Sequence, residues 1–150
     1  MTRFLIIFGT LITLAPQLVG QELAADSLLE ESIATLRERS RTAQARSHYF
    51  KAKRYERNDE LNQALEALNQ AIALQHDYED ALWLRARIHR RNADFSKALT
   101  DYQSLLFLEP KLVEPRFERA QLLYRLERYE ASLEDFKYLL EHELGETPTV

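Results

Sequence analysis

Residues 45–78, 79–112 and 113–146 of this chain align with one another without a gap, and self-similarity at a period of 34 residues narrows the possible folds more than any other feature. A basic residue followed by alanine recurs at Lys51-Ala52, Arg85-Ala86 and Arg119-Ala120. Twelve residues after each alanine stands a small residue, Ala64, Ala98 or Ser132, followed by Leu65, Leu99 or Leu133. A large apolar or aromatic side chain comes next, at Leu68, Tyr102 and Phe136, and further on stand Ile72, Leu106 and Leu140. A coiled coil would keep its seam on multiples of seven and so repeat at about 35. A register held at 34 over three units favours antiparallel helical hairpins instead. Two helices approach to about 8–10 Å only where the contact residues are small. Ala52 is therefore expected against Ala64, Ala86 against Ala98, and Ala120 against Ser132. Tyr55, Leu61, Phe95, Tyr102, Tyr129 and Phe136 are expected to fill the space between neighbouring hairpins. A lone hairpin cannot bury its apolar face, so stacking is the source of stability.

Composition agrees with an all-α fold. Only three glycines occur, and Leu, Ala, Glu, Arg and Gln, which lose little side-chain freedom in a helix, dominate. The formal charge of −4 argues against nucleic acid as a partner, because phosphate binding needs a concentrated basic surface. No cysteine is present, so thiolate chemistry and disulfides are excluded. The histidines, His48, His76, His89 and His142, are isolated, and neither a His-Glu-x-x-His run nor a glycine-rich phosphate loop occurs. The acidic pairs Glu30-Glu31 and Glu134-Asp135 read as solvated surface. No catalytic residue, metal or cofactor is expected, and the chain reads as a non-enzyme.

Each unit resembles a tetratricopeptide repeat (TPR), a family of stacked helical hairpins with small residues at the crossing. The resemblance covers residues 45–146 and is best in the second unit, where Pro110 also stands at the family's closing position. It departs from the pattern in three places. The tryptophan slot holds His48, Leu82 and Arg116; the turn glycine is replaced by Asp59, Ala93 and Glu127; the closing proline is replaced by His76 and Leu144 in the outer units. The resemblance implies an α-solenoid of three units whose first helices line a concave groove. The first helices carry net charges of about +4, +2 and +1, against about −2, −2 and −4 on the second helices. The family's groove positions fall here on Arg46, Tyr49, Lys53 and Arg57, then on Trp83, Arg87, Arg90 and Arg91, then on Phe117, Gln121, Tyr124 and Arg125. Arginines with interleaved rings suit an extended acidic or aromatic-bearing segment of a partner protein. The positions with which some family members clamp the carboxylates of heat-shock chaperones hold Tyr49, Lys53, Leu84, Glu114 and Glu118, so that activity is not expected.

Outside the repeats, Arg3 precedes an uncharged apolar run over 4–14 that ends near Pro16. This is the form of a secretory signal, expected to be cleaved after Gly20, which implies a secreted or periplasmic protein that leaves the membrane after cleavage. An N-terminal membrane anchor is the alternative, although a span needs about 20 apolar residues. Residues 21–44 open with the capping box Ser27-x-x-Glu30 and carry Leu28, Leu29, Ile33 and Leu36 at helical spacing, so a helix is expected there that caps the array or runs on into it. At the other end a left-handed cap at Gly145 and a short tail, 147–150, are expected. Leu126, Leu133, Leu140 and Leu144 are expected to be covered by a partner, by further sequence, or by a second copy in a homodimer. The leading functional reading is an exported protein-binding module. The alternatives are a membrane-tethered adaptor and a regulatory or scaffold fragment of a larger envelope or co-chaperone protein.

Overall fold

The chain is described here by a computed structural model, which covers the backbone of residues 2–144 and the side chains of residues 26–142. The side chains of the expected signal segment, Leu144 and the cap at Gly145 lie outside these described residues. Six helices follow in order: α1 (Thr2–Arg57), α2 (Leu61–Leu74), α3 (Glu79–Arg91), α4 (Phe95–Leu108), α5 (Val113–Arg125) and α6 (Tyr129–Leu144). No strand occurs among the described residues. Residues 1–41 and 42–150 form two separate units, with α1 contributing to both. The helix expected over 21–44 thus runs on as the first helix of the first hairpin. Within the first unit, Leu28, Leu29, Ile33 and Leu36 are exposed. Among the described residues no helix is long and apolar enough to cross a membrane.

In the second unit the three hairpins turn in one way. Asp59, Ala93 and Glu127, spaced by the repeat, adopt left-handed backbone with φ of 62°, 60° and 58°. At each turn two amides reach back to the helix that has just ended. Glu60, Asp94 and Arg128 donate to the carbonyls of Tyr55, His89 and Leu123, each at 2.9 Å. Asp59, Ala93 and Glu127 donate to Glu56, Arg90 and Tyr124. This pair of bonds is a Schellman cap, which satisfies carbonyls that the helix end would otherwise leave bare. A side chain with a Cβ costs roughly 1–2 kcal/mol in the left-handed region, and only the closure of the hairpin offsets it. The junctions between hairpins also repeat. Gln75 and Glu109 are extended, with φ of −139° and −133°. Proline at 110 favours that conformation in Glu109. Gln75 adopts it before His76, so the missing proline does not alter the junction.

Two cores lie in series. The first gathers Ala52, Ala64, Leu68, Ala71, Ala81, Leu84 and Ile88 from α1, α2 and α3. The second gathers Ala86, Ala98, Tyr102 and Leu122 from α3, α4 and α5, with Trp83, Phe95, Leu99 and Leu126 against it. Ala52, Ala64, Ala86, Ala98 and Ala120 have no exposed surface, and Ser132 is buried. The Ser132 hydroxyl donates to the Ala120 carbonyl at 2.9 Å, so the third crossing is polar yet satisfied. Tyr55, Leu61 and Phe95 pack against these cores. Tyr129 does not: it is exposed and stands edge-on to Tyr124. Leu126, by contrast, is half-buried in the second core and needs no outside cover.

Two expectations follow. Ala93→Gly removes the left-handed penalty at the cost of some unfolded-chain entropy, and should raise stability by about 0.5–1 kcal/mol. Denaturant titration followed by circular dichroism checks this, and a lowered midpoint would contradict the role given to the turn. Ala98→Leu forces a branched side chain into a contact with no free volume and should cost about 2–3 kcal/mol in the same measurement.

Candidate functional site

Every residue expected to face the groove lies on the first helix of a hairpin, but they do not form one free surface. Arg46, Lys53 and Arg57 are exposed on α1, with the Lys53 ammonium 5.7 Å from the Tyr49 ring centre. Tyr49 itself is half-buried against the first core and packs on Tyr78 at 5.2 Å. Burial and the nearby Asp80 carboxylate push its hydroxyl pKa up. Trp83 is likewise packed against the second core, with its indole N–H donating to Glu118 at 2.8 Å. The ring in this register is thus part of the stacking surface between hairpins. Phe117, the third of the set, is exposed and meets Phe136 of α6 edge to face. Of the three rings expected to face a ligand groove, Tyr49 and Trp83 are thus engaged in the stack, while Phe117 is exposed.

Glu118 on α5 is the residue that sequence reasoning missed. Besides Trp83 it accepts from the Tyr102 hydroxyl at 3.1 Å and from Arg90 at 3.4 Å, and it lies 3.8 Å from Arg87. Its carboxylate ties α3, α4 and α5 together. Burial and that same carboxylate raise the Tyr102 pKa steeply, so its hydroxyl stays a donor. Arg91 bonds Asp59 of the preceding turn at 2.7 Å. Three of the groove arginines therefore carry carboxylate partners, and the inner surface is less basic than a charge sum suggests. What stays open is the stretch where Arg90, Gln121, Leu122 and Arg125 line a cleft of about 230 Å³ between α3 and α5, with Tyr124 exposed beside it. No ion pair involves Arg46, Lys53, Arg57 or Arg125 among the described residues.

Within the hairpins a second periodic device appears. Arg85 forks onto Asp101 with bonds of 2.9 and 2.6 Å, and its remaining nitrogen bonds Asn69 on α2 at 2.8 Å. Arg119 makes the same fork onto Asp135, which Arg116 also reaches at 3.2 Å. Asp135 is only 2% exposed, so its reading as solvated surface is corrected: Glu134 faces solvent, whereas the neighbouring position turns inward onto α5. The guanidinium of Arg116 lies 3.6 Å from the Tyr138 ring centre, a favourable cation–π contact. The signal for these pairs was available in the spacing of 16 residues between arginine and aspartate in units two and three. Lys51 and Ala67 break it in unit one.

A cleft of about 520 Å³ opens on the last hairpin, lined by Val113, Glu114, Phe117, Phe136, Leu139 and Leu140. Phe117 and Phe136 meet edge to face at 5.9 Å, and Leu140 is 58% exposed. Leu133 is exposed as well. No cluster of His, Cys, Asp or Glu suited to a metal ion occurs among the described residues.

Stacked helical hairpins with this register define an α-helical repeat scaffold. Residues 84–147 match the tetratricopeptide repeat family. Solved structures agree on the fold. The crystal structure of MamA is similar at 23% identity and a TM-score of 0.65, over 69% of this chain and 61% of that one. The TPR domain of Arabidopsis OM64 is similar at 20% identity and 0.63, over 71% and 88%. The second TPR of Spaghetti (RPAP3), bound to the HSP90 peptide SRMEEVD, is similar at 16% identity and 0.63, over 69% and 94%. This chain thus spans about three fifths of the MamA chain's length. None of the curated proteins matches the sequence.

His89 supplies a pH test of the scaffold. It is buried, and its Nδ1 has no hydrogen-bond partner, lying 3.6 Å from Asp94. Burial lowers its pKa, aided by Arg85 and Lys97 and opposed by Asp101 and Asp94. The folded protein therefore binds fewer protons here than the unfolded chain, whose histidine titrates near about 6.5. Stability from this group is complete above that pH and declines as pH falls below it. His89→Phe should flatten the drop in denaturant midpoint between about pH 7 and about pH 5; an unchanged drop would assign it to other groups.

Proposed function

We propose that the chain is a non-catalytic adaptor that holds an extended, acidic or aromatic-bearing segment of a partner protein along the first-helix surface. The observation that carries this reading is the cleft between α3 and α5, where Arg90, Gln121 and Arg125 present polar groups beside Leu122 and the exposed Tyr124. Charge-assisted bonds from arginine to carboxylate are roughly twice as strong as neutral ones, and a ring at the rim adds apolar area with little entropy to lose. The peptide in the Spaghetti structure is also acidic at its end. Its mode of capture is not carried over. Leu84 is buried and Glu118 is already engaged by Trp83 and Tyr102, so those positions would repel a terminal carboxylate or leave it without donors.

Export rests on Arg3 and the apolar run over 4–14, and is part of the same proposal. N-terminal sequencing of the protein from its own cells tests it: a chain starting at Gln21 is expected, and one starting near Met1 would favour a tethered adaptor. A second reading, self-association, is favoured by the exposed Phe117, Leu133 and Leu140 on the last hairpin.

Binding is tested with an immobilised library of acidic peptides that carry Phe, Tyr or Trp. Wild type should prefer these to basic or neutral peptides. The double variant Lys53→Glu, Arg125→Glu changes two exposed, unpaired cations and should weaken binding at least about tenfold, or about 1.4 kcal/mol, with an unchanged circular dichroism spectrum. Equal binding by wild type and variant would remove the groove reading.

A further inference from the structure

The surface that each hairpin offers to the next falls on the same register positions in all three. On α1 and α2 these are Tyr49, Leu68 and Ala71, and α3 covers them with Ala81, Leu84 and Ile88. On α3 and α4 they are Trp83, Tyr102 and Leu105, and α5 covers the rings with Leu122 and Glu118. On α5 and α6 they are Phe117, Phe136 and Leu139, and here the cleft stands open among the described residues. The contrast is sharpest one residue on: Leu106 is 6% exposed and its counterpart Leu140 is 58% exposed.

We infer that this cleft receives the α1 segment 26–41 of a second copy of the chain, in a head-to-tail contact. The inference rests on the self-association reading and deepens it by naming the docking segment. The internal precedent sets the shape of the occupant, since each filled copy of the surface holds one helix, with apolar residues three and four apart in the first, Ala81, Leu84 and Ile88. Leu29, Ile33 and Leu36 provide that spacing on an exposed helical face of the same chain. Polarity agrees. Trp83 and Tyr102 each carry a donor that Glu118 of α5 must satisfy, whereas Phe117 and Phe136 carry none. A helix that presents an aliphatic stripe to these two rings therefore leaves no ring donor unpaired at the open end.

Charge selects the polarity of assembly. Glu114 lines the cleft, and Glu130, Glu134 and Glu141 are exposed along α6. Face-to-face pairing of two such surfaces would bring like charges together. The α1 segment carries Asp26, Glu30 and Glu31 in its first part and Arg37, Arg39 and Arg41 at its C-terminal end, where Glu38 pairs with Arg41, so that end is the part that offers cations to the acidic surface. A surface that meets a different surface of its copy is a heterologous contact.

The absence of cysteine makes the test direct. Leu36→Cys and Leu140→Cys each replace an exposed side chain, and the second variant carries an affinity tag so that the two chains differ in size. Under mild oxidation a mixture should give the mixed disulfide dimer, while neither variant alone does so. Phe107→Cys, at an exposed site on α4, serves as the control and should give no product with Leu36→Cys. By light scattering the wild-type mass should rise with concentration, and Leu140→Lys should shift that rise to at least about tenfold higher concentration. Disulfide dimers from Leu140→Cys alone would overturn the head-to-tail contact and keep self-association. A wild type that stays monomeric at about 100 μM would overturn both.

Discussion

Close approach of the two helices in every hairpin is the condition on which the other contacts depend. With Ala52 against Ala64, Ala86 against Ala98 and Ala120 against Ser132, no side chain holds the backbones apart. That closeness places Arg85 within reach of Asp101, and Arg119 within reach of Asp135, across the same gap. It also sets how far Trp83 and Tyr102 stand from α5, and so whether one carboxylate can answer both. A wider hairpin would lose the fork and the stacking contact together.

The buried ion pairs are better understood as fixing register than as adding net stability. Removing a carboxylate and a guanidinium from water costs several kcal/mol per ion, and the pairing must offset that before anything is gained. A helix that slid by one turn along its partner would leave Asp101 or Asp135 buried without its arginine. That penalty, of the order of 3–5 kcal/mol, discriminates against misaligned hairpins. The first hairpin, with Lys51 and Ala67 at the matching positions, has no such device and relies on the packing of Leu68, Ala71 and the rings of Tyr49 and Tyr55.

How much of this was legible in the sequence follows from how local each feature is. The period of 34 and the small residues twelve apart are local patterns, and they led to the hairpins and the resemblance. The turn positions Asp59, Ala93 and Glu127 stood out because glycine is usual there, and the structure shows the left-handed backbone that glycine would serve. Contacts between elements were harder. A charge sum over the first helices includes Arg87, Arg90 and Arg91, but it does not record that Glu118 and Asp59 lie beside them. The adjacency of Glu134 and Asp135 suggested a solvated pair, because only the position of α5 decides which of the two points inward. The rings at Tyr49, Trp83 and Phe117 share a register whether they serve a ligand or the next hairpin. Only coordinates separate those uses.

In an array that is stabilised mainly by nearest-neighbour interfaces, a hairpin's resistance to opening depends on how many neighbours it has. The α3–α4 hairpin packs against residues on both sides, whereas α5 and α6 contact a neighbour on one side among the described residues. Glu118 is therefore placed at a sensitive point: it sits on the hairpin with one neighbour, and it makes the polar bonds that hold this hairpin to the next one inward. The cleft of Arg90, Gln121 and Arg125 straddles the same interface. Any group bound there would touch α3 and α5 at once and add to the single interface that retains the last hairpin. Binding at the groove and order at the end of the array are thus two readings of one contact.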